Sequence, residues 1–354
     1  MRCSLEIHRF SLPLHRPYVL PFGAIEVFQS FVVMLRSCGR IGLGETTPLP
    51  GYGWETCDGT EEHLAEMGRQ LTGGEPLDAL VDSLLEVAPF LASALACAVE
   101  TWHQDPEQYQ RPLARPVPLS GLCGGETPSE AAAAAAALIG QGYSTLKLKA
   151  SPGDTAGTLA RVAAVTTCAA AGTIISVDAN QTLAFDEACH LALGLRDLPV
   201  AWLEQPLAAA DWEGHARLIA ETRLPVFLDE SVASAADIAR ARSIGAAGVK
   251  LKLCKHLGRS AVAALIRQAR ELGLEVLLGN GVQTVIGNFA EAHLHADLGL
   301  RTASEGNGFL KTSVSPVPSE VILDGACITR FALCVDQSLA VGGKPVLTVP
   351  SLMV

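Results

Sequence analysis

No run of lysine or arginine interrupts this 354-residue sequence, and its formal net charge is −11. Such a chain presents no basic surface to a phosphate backbone, which excludes nucleic acid as an expected partner. The opening residues, MRCSLEIHRF, lack a basic stretch followed by an apolar one. No secretory signal is therefore expected, and the chain reads as cytoplasmic. No apolar run reaches the roughly 18 to 20 residues of a membrane helix. The longest candidate, EAAAAAAALIG at 130–140, reads as an alanine-rich helix outside any membrane. The ten cysteines are scattered, and none stands in Cys-x-x-Cys or in zinc-ligand spacing with histidine. Free thiols packed as small apolar groups in a reducing compartment are the expectation. His293 and His295, two apart on an expected helix, point in different directions and read as structural.

What the sequence does hold falls into two textures. Over 28–49, FQSFVVMLRSCGRIGLGETTPL reads as strand, turn and strand. Acid-rich helical periodicity follows from 59, and a second helical stretch runs on from PLDALVDSLLEVAPF. Residues 1–115 thus read as an α+β unit. From Pro116 short apolar strands alternate with Ala/Leu/Arg-rich helices. Strand starts fall at Val117, Ser144, Thr173, Ala201, Pro225, Gly248, Glu275 and Arg301. Eight β/α units at a spacing of roughly 25 residues predict a closed parallel barrel over 116–319. The eighth strand carries little apolar content and is the weakest. Residues 320–354 turn strand-like again and are expected to pack back on the first unit.

In such a barrel, chemistry gathers at the C-terminal ends of the strands. Those ends carry Lys147 and Lys149, then Asp178 and Asn180, Glu204, Asp229 and Glu230, Lys250 and Lys252, Asn280, and Glu305. Residues two apart on a strand share a face, so each Lys-x-Lys pair points one way. Three carboxylates on successive strands repel one another unless a cation neutralises them. Oxygen donors alone suit a hard cation, Mg²⁺ first, with Mn²⁺ as the other candidate. Lysines on opposite walls then flank the metal, and a lysine beside another cation gives up its proton more readily. One could take a proton from the carbon next to a bound carboxylate while the other returns it or stabilises the enolate. Lys250 alone is open to a plainer reading, a salt-bridge partner of a nearby acid.

Lys-x-Lys, VDAN, LEQP, DES and the strand-six lysine, in that order, resemble the enolase superfamily, specifically its muconate lactonizing enzyme subgroup (mandelate racemase/muconate lactonizing enzyme-like). The resemblance covers nearly the whole chain. It implies a (β/α)7β TIM-type barrel with an α+β capping domain. It further implies Mg²⁺ held by Asp178, Glu204 and Asp229, with Lys149 and Lys252 as acid/base residues and Lys147 assisting Lys149. Asn180, Glu230 and Lys250 are expected to support these groups from behind. Two loops, at 16–26 and 48–56, are implied to close over the barrel mouth. Phe22, Tyr52, Trp54, Asn280 and Glu305 are the expected substrate contacts. The resemblance implies a small-molecule carboxylate substrate and leaves a homo-oligomer open. Racemisation or epimerisation of an amino-acid derivative leads, with muconate-type cycloisomerisation and o-succinylbenzoate synthesis as alternatives. Dipeptide epimerases of the subgroup carry Asp-x-Asp on strand eight; here Ala303 and Glu305 stand there, which argues against a dipeptide. Lys250 adds positive charge and points to a substrate with a second anionic group. A Schiff-base aldolase needs one buried lysine and no metal, and the carboxylate trio argues against it. A non-catalytic ligand-binding relative is the remaining rival, although every expected catalytic position is filled.

Overall fold

Phe31, Val33 and Leu35 alternate with Val32 and Met34, and all five are fully buried. A strand apolar on both sides must be covered on both faces. In the computed structural model, which describes residues 2–20, 23–37, 39–50, 53–279, 282–336 and 342–354, it is. β1 (Arg2–Leu20), β2 (Gly23–Ser37) and β3 (Arg40–Thr46) form an antiparallel sheet. Helices α1 (Cys57–Thr72), α2 (Leu77–Leu84) and α3 (Pro89–His103) close one face. There Phe31, Val33 and Leu35 share a core with Leu64, Leu95 and Trp102. α3 lies directly on β3 because Gly44 has no side chain: a Cβ there would stand 1.9 Å from the Ala94 carbonyl oxygen. The opposite face, with Val32, Met34, Ile41 and Leu43, forms a second core with residues of the barrel.

β4 (Val117–Pro118) leads into the barrel, whose strands are β5 (Ser120–Leu122), β6 (Thr145–Lys149), β7 (Ile174–Asp178), β8 (Trp202–Glu204), β9 (Val226–Leu228), β10 (Gly248–Leu251) and β11 (Glu275–Leu278). Strands β5 to β11 hydrogen-bond to their neighbours in sequence order, a singly wound parallel sheet. Between them run α4 (Pro128–Gly140), α5 (Thr155–Cys168), α6 (Phe185–Arg196), α7 (Trp212–Thr222), α8 (Ala235–Ser243) and α9 (Gly258–Glu271). α10 (Val285–Leu298) follows β11. The eighth position is filled by a single bridge. Ser304 donates to the Pro118 carbonyl at 2.8 Å and accepts from Ser120 N–H at 2.9 Å, while Glu305 N–H reaches the Leu278 carbonyl at 3.1 Å. So little apolar sequence forms no regular strand, yet its backbone closes the ring.

The two faces of these strands differ. Leu146, Leu148, Val177, Leu203, Leu228 and Leu251 belong to the core shared with the outer helices. The alternate positions turn inward. Trp202 and Phe227 stack with ring centroids 4.5 Å apart and pack with Leu277 as a dry floor. Two residues further along β8 comes Glu204, and two beyond Phe227 comes Asp229. Charge therefore sits on an apolar base.

The expected 320–354 segment divides. β12 (Ser319–Asp324) and β13 (Cys327–Leu333) form a hairpin that pairs with β4, where Ile328, Phe331 and Leu333 are buried. Among the described residues of this segment, β14 (Lys344–Met353) alone returns to the capping sheet, along β1. β4, outside the seven-stranded barrel sheet, offers the hairpin its backbone partners, which is why the hairpin does not travel with β14.

Candidate active site

Parallel register sets the layer. Lys149 pairs with Asp178, and Asp178 with Glu204. Asp229 follows the last residue of β9, and Lys250 and Lys252 stand two apart at the end of β10. Asp178, Glu204, Asp229, Lys147, Lys250 and Lys252 are all buried, whereas Lys149 is nearly half exposed at the mouth. Arg161 on α5 holds the end of β6 by donating to the Lys149 carbonyl at 3.2 Å.

Two ammonium groups bridge successive carboxylates. Lys147 Nζ lies 2.8 Å from Asp178 Oδ2, 2.9 Å from Glu204 Oε1 and 2.7 Å from Glu305 Oε1. Lys250 Nζ lies 2.8 Å from Glu204 Oε1, 3.2 Å from Asp229 Oδ2 and 2.8 Å from Glu305 Oε2. Its stem fits because Gly279 is bare: a Cβ there would be 2.2 Å from Lys250 Cε. The plain reading of Lys250 as a salt-bridge partner is thus met three times over. Lys149 Nζ reaches Asp178 Oδ2 at 2.8 Å and also Asn180 Oδ1. Lys252 Nζ reaches Asp229 Oδ2 at 2.6 Å from the opposite wall.

Burial alone would drive these groups neutral. It opposes ionisation of Asp178, yet Lys147, Lys149 and Lys250 outweigh it and hold the carboxyl below the ordinary range. Asp229 is likewise held low against burial by Lys250, Lys252 and Lys255. Glu305 is held at about 2 against burial by Lys147 and Lys250. Glu204 goes the other way, since burial and Asp178 push it up more than the lysines pull it down. Burial would lower Lys147 and Lys250, but the surrounding acids raise both above the usual lysine value. Burial and Asp229 also raise Glu230, whose Oε1 accepts from Asn180 Nδ2 at 3.4 Å.

The arrangement bears on a metal in two ways. Among the described residues no three Asp, Glu, His or Cys groups form a ready cage. The ammonium bridges already supply the neutralising charge that the sequence argument assigned to a cation. Yet the donor set fits a hard divalent ion. It is all oxygen, drawn from three successive strands, and buried Asp229 Oδ1 has no hydrogen-bond donor, with the Lys255 ammonium 3.6 Å away.

Some functional residues escaped the sequence reading. Gln205 is fully buried, and its Oε1 accepts from Asp229 N–H at 2.9 Å and Ser231 N–H at 3.1 Å. Its left-handed backbone (φ 36°), like that of Asn180 (φ 43°), turns the chain sharply just past each acid. The LEQP motif held the signal, since a side-chain amide next to a ligand can tie two strand ends together. Tyr18, Asn307 and Lys311 line the cavity with the lysines and acids. The described residues of the 16–26 stretch lie at the adjoining ends of β1 and β2, where Tyr18 pairs with Ile25. Trp54 lies away from this cavity. The residue is 70% exposed, and its indole donates to the Val87 carbonyl at 3.2 Å. Phe22, Tyr52 and Asn280 fall outside the described residues.

A family model described as "Enolase C-terminal domain-like" matches residues 130–322. The chain belongs to the enolase superfamily. Among its relatives, an aromatic dipeptide epimerase of Herpetosiphon aurantiacus is 29% identical over 84% of this chain and 86% of its own. An N-succinyl-L-Arg/Lys racemase of Bacillus cereus is 25% identical over 87% of each. The solved dipeptide epimerase of Enterococcus faecalis, complexed with Mg and L-Leu-L-Tyr, superposes with a TM-score of 0.81 at 23% identity, covering 94% of this chain and 98% of that one. This enolase-superfamily chain is an enzyme with the superfamily's barrel and capping domain.

Proposed function

We propose that the enzyme racemises or epimerises an amino-acid derivative by moving the proton on the carbon next to its carboxylate. The observation that carries this is the placement of Lys149 and Lys252 on opposite barrel walls, with the carboxylate trio between them. The epimerases and the racemase among its relatives support it. Asp178, Glu204 and Asp229 would hold Mg²⁺, or Mn²⁺ in its place. Such an ion would draw negative charge onto the substrate's carboxylate oxygens and so acidify the α-carbon. One lysine, as the free amine, takes the α-proton, and the C–H electron pair moves into the carboxylate. The other lysine, protonated, delivers its proton to the opposite face, so configuration inverts and no atom is gained or lost. Lys147 and Lys250 hold the acids in place, and Gln205 fixes Asp229. Among the described residues no helix is long and apolar enough to cross a membrane, and we place the enzyme in the cytoplasm.

The test is α-proton exchange in D₂O with Mg²⁺, followed by NMR on N-acyl amino acids and dipeptides. The expected result is exchange at one α-carbon, lost with EDTA and restored by Mg²⁺. Exchange indifferent to EDTA, or none with any such substrate, would overturn the reading.

A further inference from the structure

Lys252 sits where its strand breaks. β10 ends at Leu251, and Lys252 opens a tight turn over Leu253–Lys255. The chain leaves that turn through Leu257 in the left-handed region (φ 53°), disfavoured for a residue with a side chain, and through Gly258 (φ 86°). Such a path persists only where the surrounding structure holds it. On the outer side the capping domain does so. Ser93 on α3 donates to the Leu253 carbonyl and accepts from Gly258 N–H at 3.2 Å.

On the inner side the hold is His256. It is 4% exposed, and its ring turns back against the strand end. Nδ1 lies 2.8 Å from the Lys252 carbonyl oxygen and 3.3 Å from the Lys252 amide nitrogen, and Nε2 lies 3.3 Å from the Val232 carbonyl oxygen. Burial holds the imidazole at about 4, so near neutral pH it carries one N–H. On Nδ1 that proton goes to the Lys252 carbonyl. On Nε2 it goes to the Val232 carbonyl, and Nδ1 then accepts from Lys252 N–H. In either tautomer the ring bonds the backbone of Lys252 itself. It also lies against the turn that follows Asp229, where Val232 N–H donates to the Asp229 carbonyl at 3.1 Å.

The Lys252 side chain is buried, and its ammonium meets Asp229 Oδ2 at 2.6 Å. A shift of its backbone therefore moves the ammonium relative to a substrate over the barrel. The opposite wall owes nothing to His256. Lys149 is held by Asp178 and Asn180 at its ammonium and by Arg161 at its carbonyl. Asp229 has its own tie through Gln205. Loss of the imidazole thus falls on one lysine of the pair.

We propose that His256 is the positioning residue of Lys252: its ring bridges the ends of β9 and β10 and fixes the direction from which that lysine meets the α-carbon. This rests on the α-proton-transfer reading and adds that the two faces are aligned separately.

The experiment follows α-proton exchange in D₂O for both α-configurations of N-acetylleucine and of L-alanyl-leucine, with the Mg²⁺-loaded protein. Lys252→Ala marks the isomer that depends on Lys252. In His256→Phe, which keeps a flat ring without nitrogen, kcat on that isomer is expected to fall by about tenfold or more with KM little changed, while the other isomer stays within about twofold of the parent. His256→Asn, whose amide can again bond the Lys252 peptide, is expected to recover most of the loss. The ratio of the two isomers is read in one sample and does not depend on how much of it is folded, and His256→Ala serves if the Phe variant does not fold. An equal loss on both isomers, or an unchanged ratio, would overturn the proposal. If the parent exchanges neither compound, the proton-transfer reading fails. The positioning is then read from the lysine ammoniums by ¹⁵N NMR, the Lys252 signal being the one absent in Lys252→Ala. A displacement in His256→Phe confined to Lys252, with the Lys147 and Lys149 signals unmoved, upholds the proposal. A Lys252 signal that stays in place, or moves along with the others, overturns it.

Discussion

Lys250 sets the electrostatics of this barrel. Its ammonium contacts Glu204 and Asp229, two of the three proposed metal ligands, and is tethered by Glu305. A divalent ion in the same place would feel that positive charge at close range. Lys250→Met is therefore expected to bind Mn²⁺ more tightly than the parent, by about tenfold or more, read by electron paramagnetic resonance of the free ion. Unchanged or weaker binding would show that the ammonium does not compete. At this scale the sequence was informative wherever period two on a short strand decides facing, as for Lys147, Asp178 and Lys252. It could not say whom a side chain meets. Lys250 was legible as inward-facing, but its partner Glu305 comes from a segment with almost no strand signal. Tyr18 and Trp54 are both aromatic residues in expected lid stretches. Only contacts separate them, since one faces the cavity and the other spends its indole on the Val87 carbonyl.

Elements are joined by acids placed at helix starts. Glu45 on β3 accepts from Thr284 N–H at 2.5 Å, Gly287 N–H at 2.9 Å and the Thr284 hydroxyl, so a capping-domain side chain caps barrel helix α10. Glu100 on α3 does the same for α9, accepting from Arg259 N–H at 2.8 Å and Ser260 N–H at 2.9 Å. Glu55 accepts from Phe90 and Leu91 N–H at the start of α3. The free N–H groups and the partial positive charge of a helix start favour such an acid. Glu45→Ala leaves buried donors without a partner and is expected to cost about 3 kcal/mol in chemical denaturation. Glu66→Ala, which removes an exposed pair with Arg69, is expected to cost under about 0.5 kcal/mol. Equal effects would contradict the account. Local caps such as Thr127 with Glu130 on α4 lie within one turn of sequence. The Glu45 cap joins positions far apart in the chain, and local pattern holds no trace of it.

Across the whole molecule, buried histidines make stability depend on pH. Burial holds His256 and His293 at about 4, and it lowers His215 and His295 as well. His293 and His295 address different carbonyls, those of Phe331 and Thr302. In the unfolded chain each of these histidines takes up a proton near pH 6.5, while in the folded chain uptake waits for a lower pH, about 4 for His256 and His293. The histidines' contribution is therefore full above about pH 7 and falls between about 6.5 and 4, by a few kcal/mol at pH 5, while the buried carboxyls that folding raises, Glu45, Glu204, Glu230 and Glu291, work the other way and gain stability as the pH drops. The histidine contribution stops falling below the folded values. The acids held low by lysines, Asp178, Asp229 and Glu305, add their own loss only below about pH 4. Denaturation midpoints at pH 7.5 and 5.0 for the parent and for His293→Asn check this: the parent is expected to lose more between the two pH values than the variant, and an equal change in both would contradict it. The barrel and its cap were legible because strand and helix periods repeat along the chain. The split of the C-terminal segment was not, since β4 meets the hairpin only once the chain has folded.

The central claim is that Lys149 and Lys252 serve opposite faces of one α-carbon. Its most direct measurement is enantiomer-resolved α-proton exchange in D₂O with Lys149→Ala and Lys252→Ala, both loaded with Mg²⁺. The account predicts that each variant loses interconversion yet still exchanges one enantiomer, and that the surviving enantiomer differs between the two. Interconversion retained in either variant, or loss of the same enantiomer's exchange in both, would contradict it.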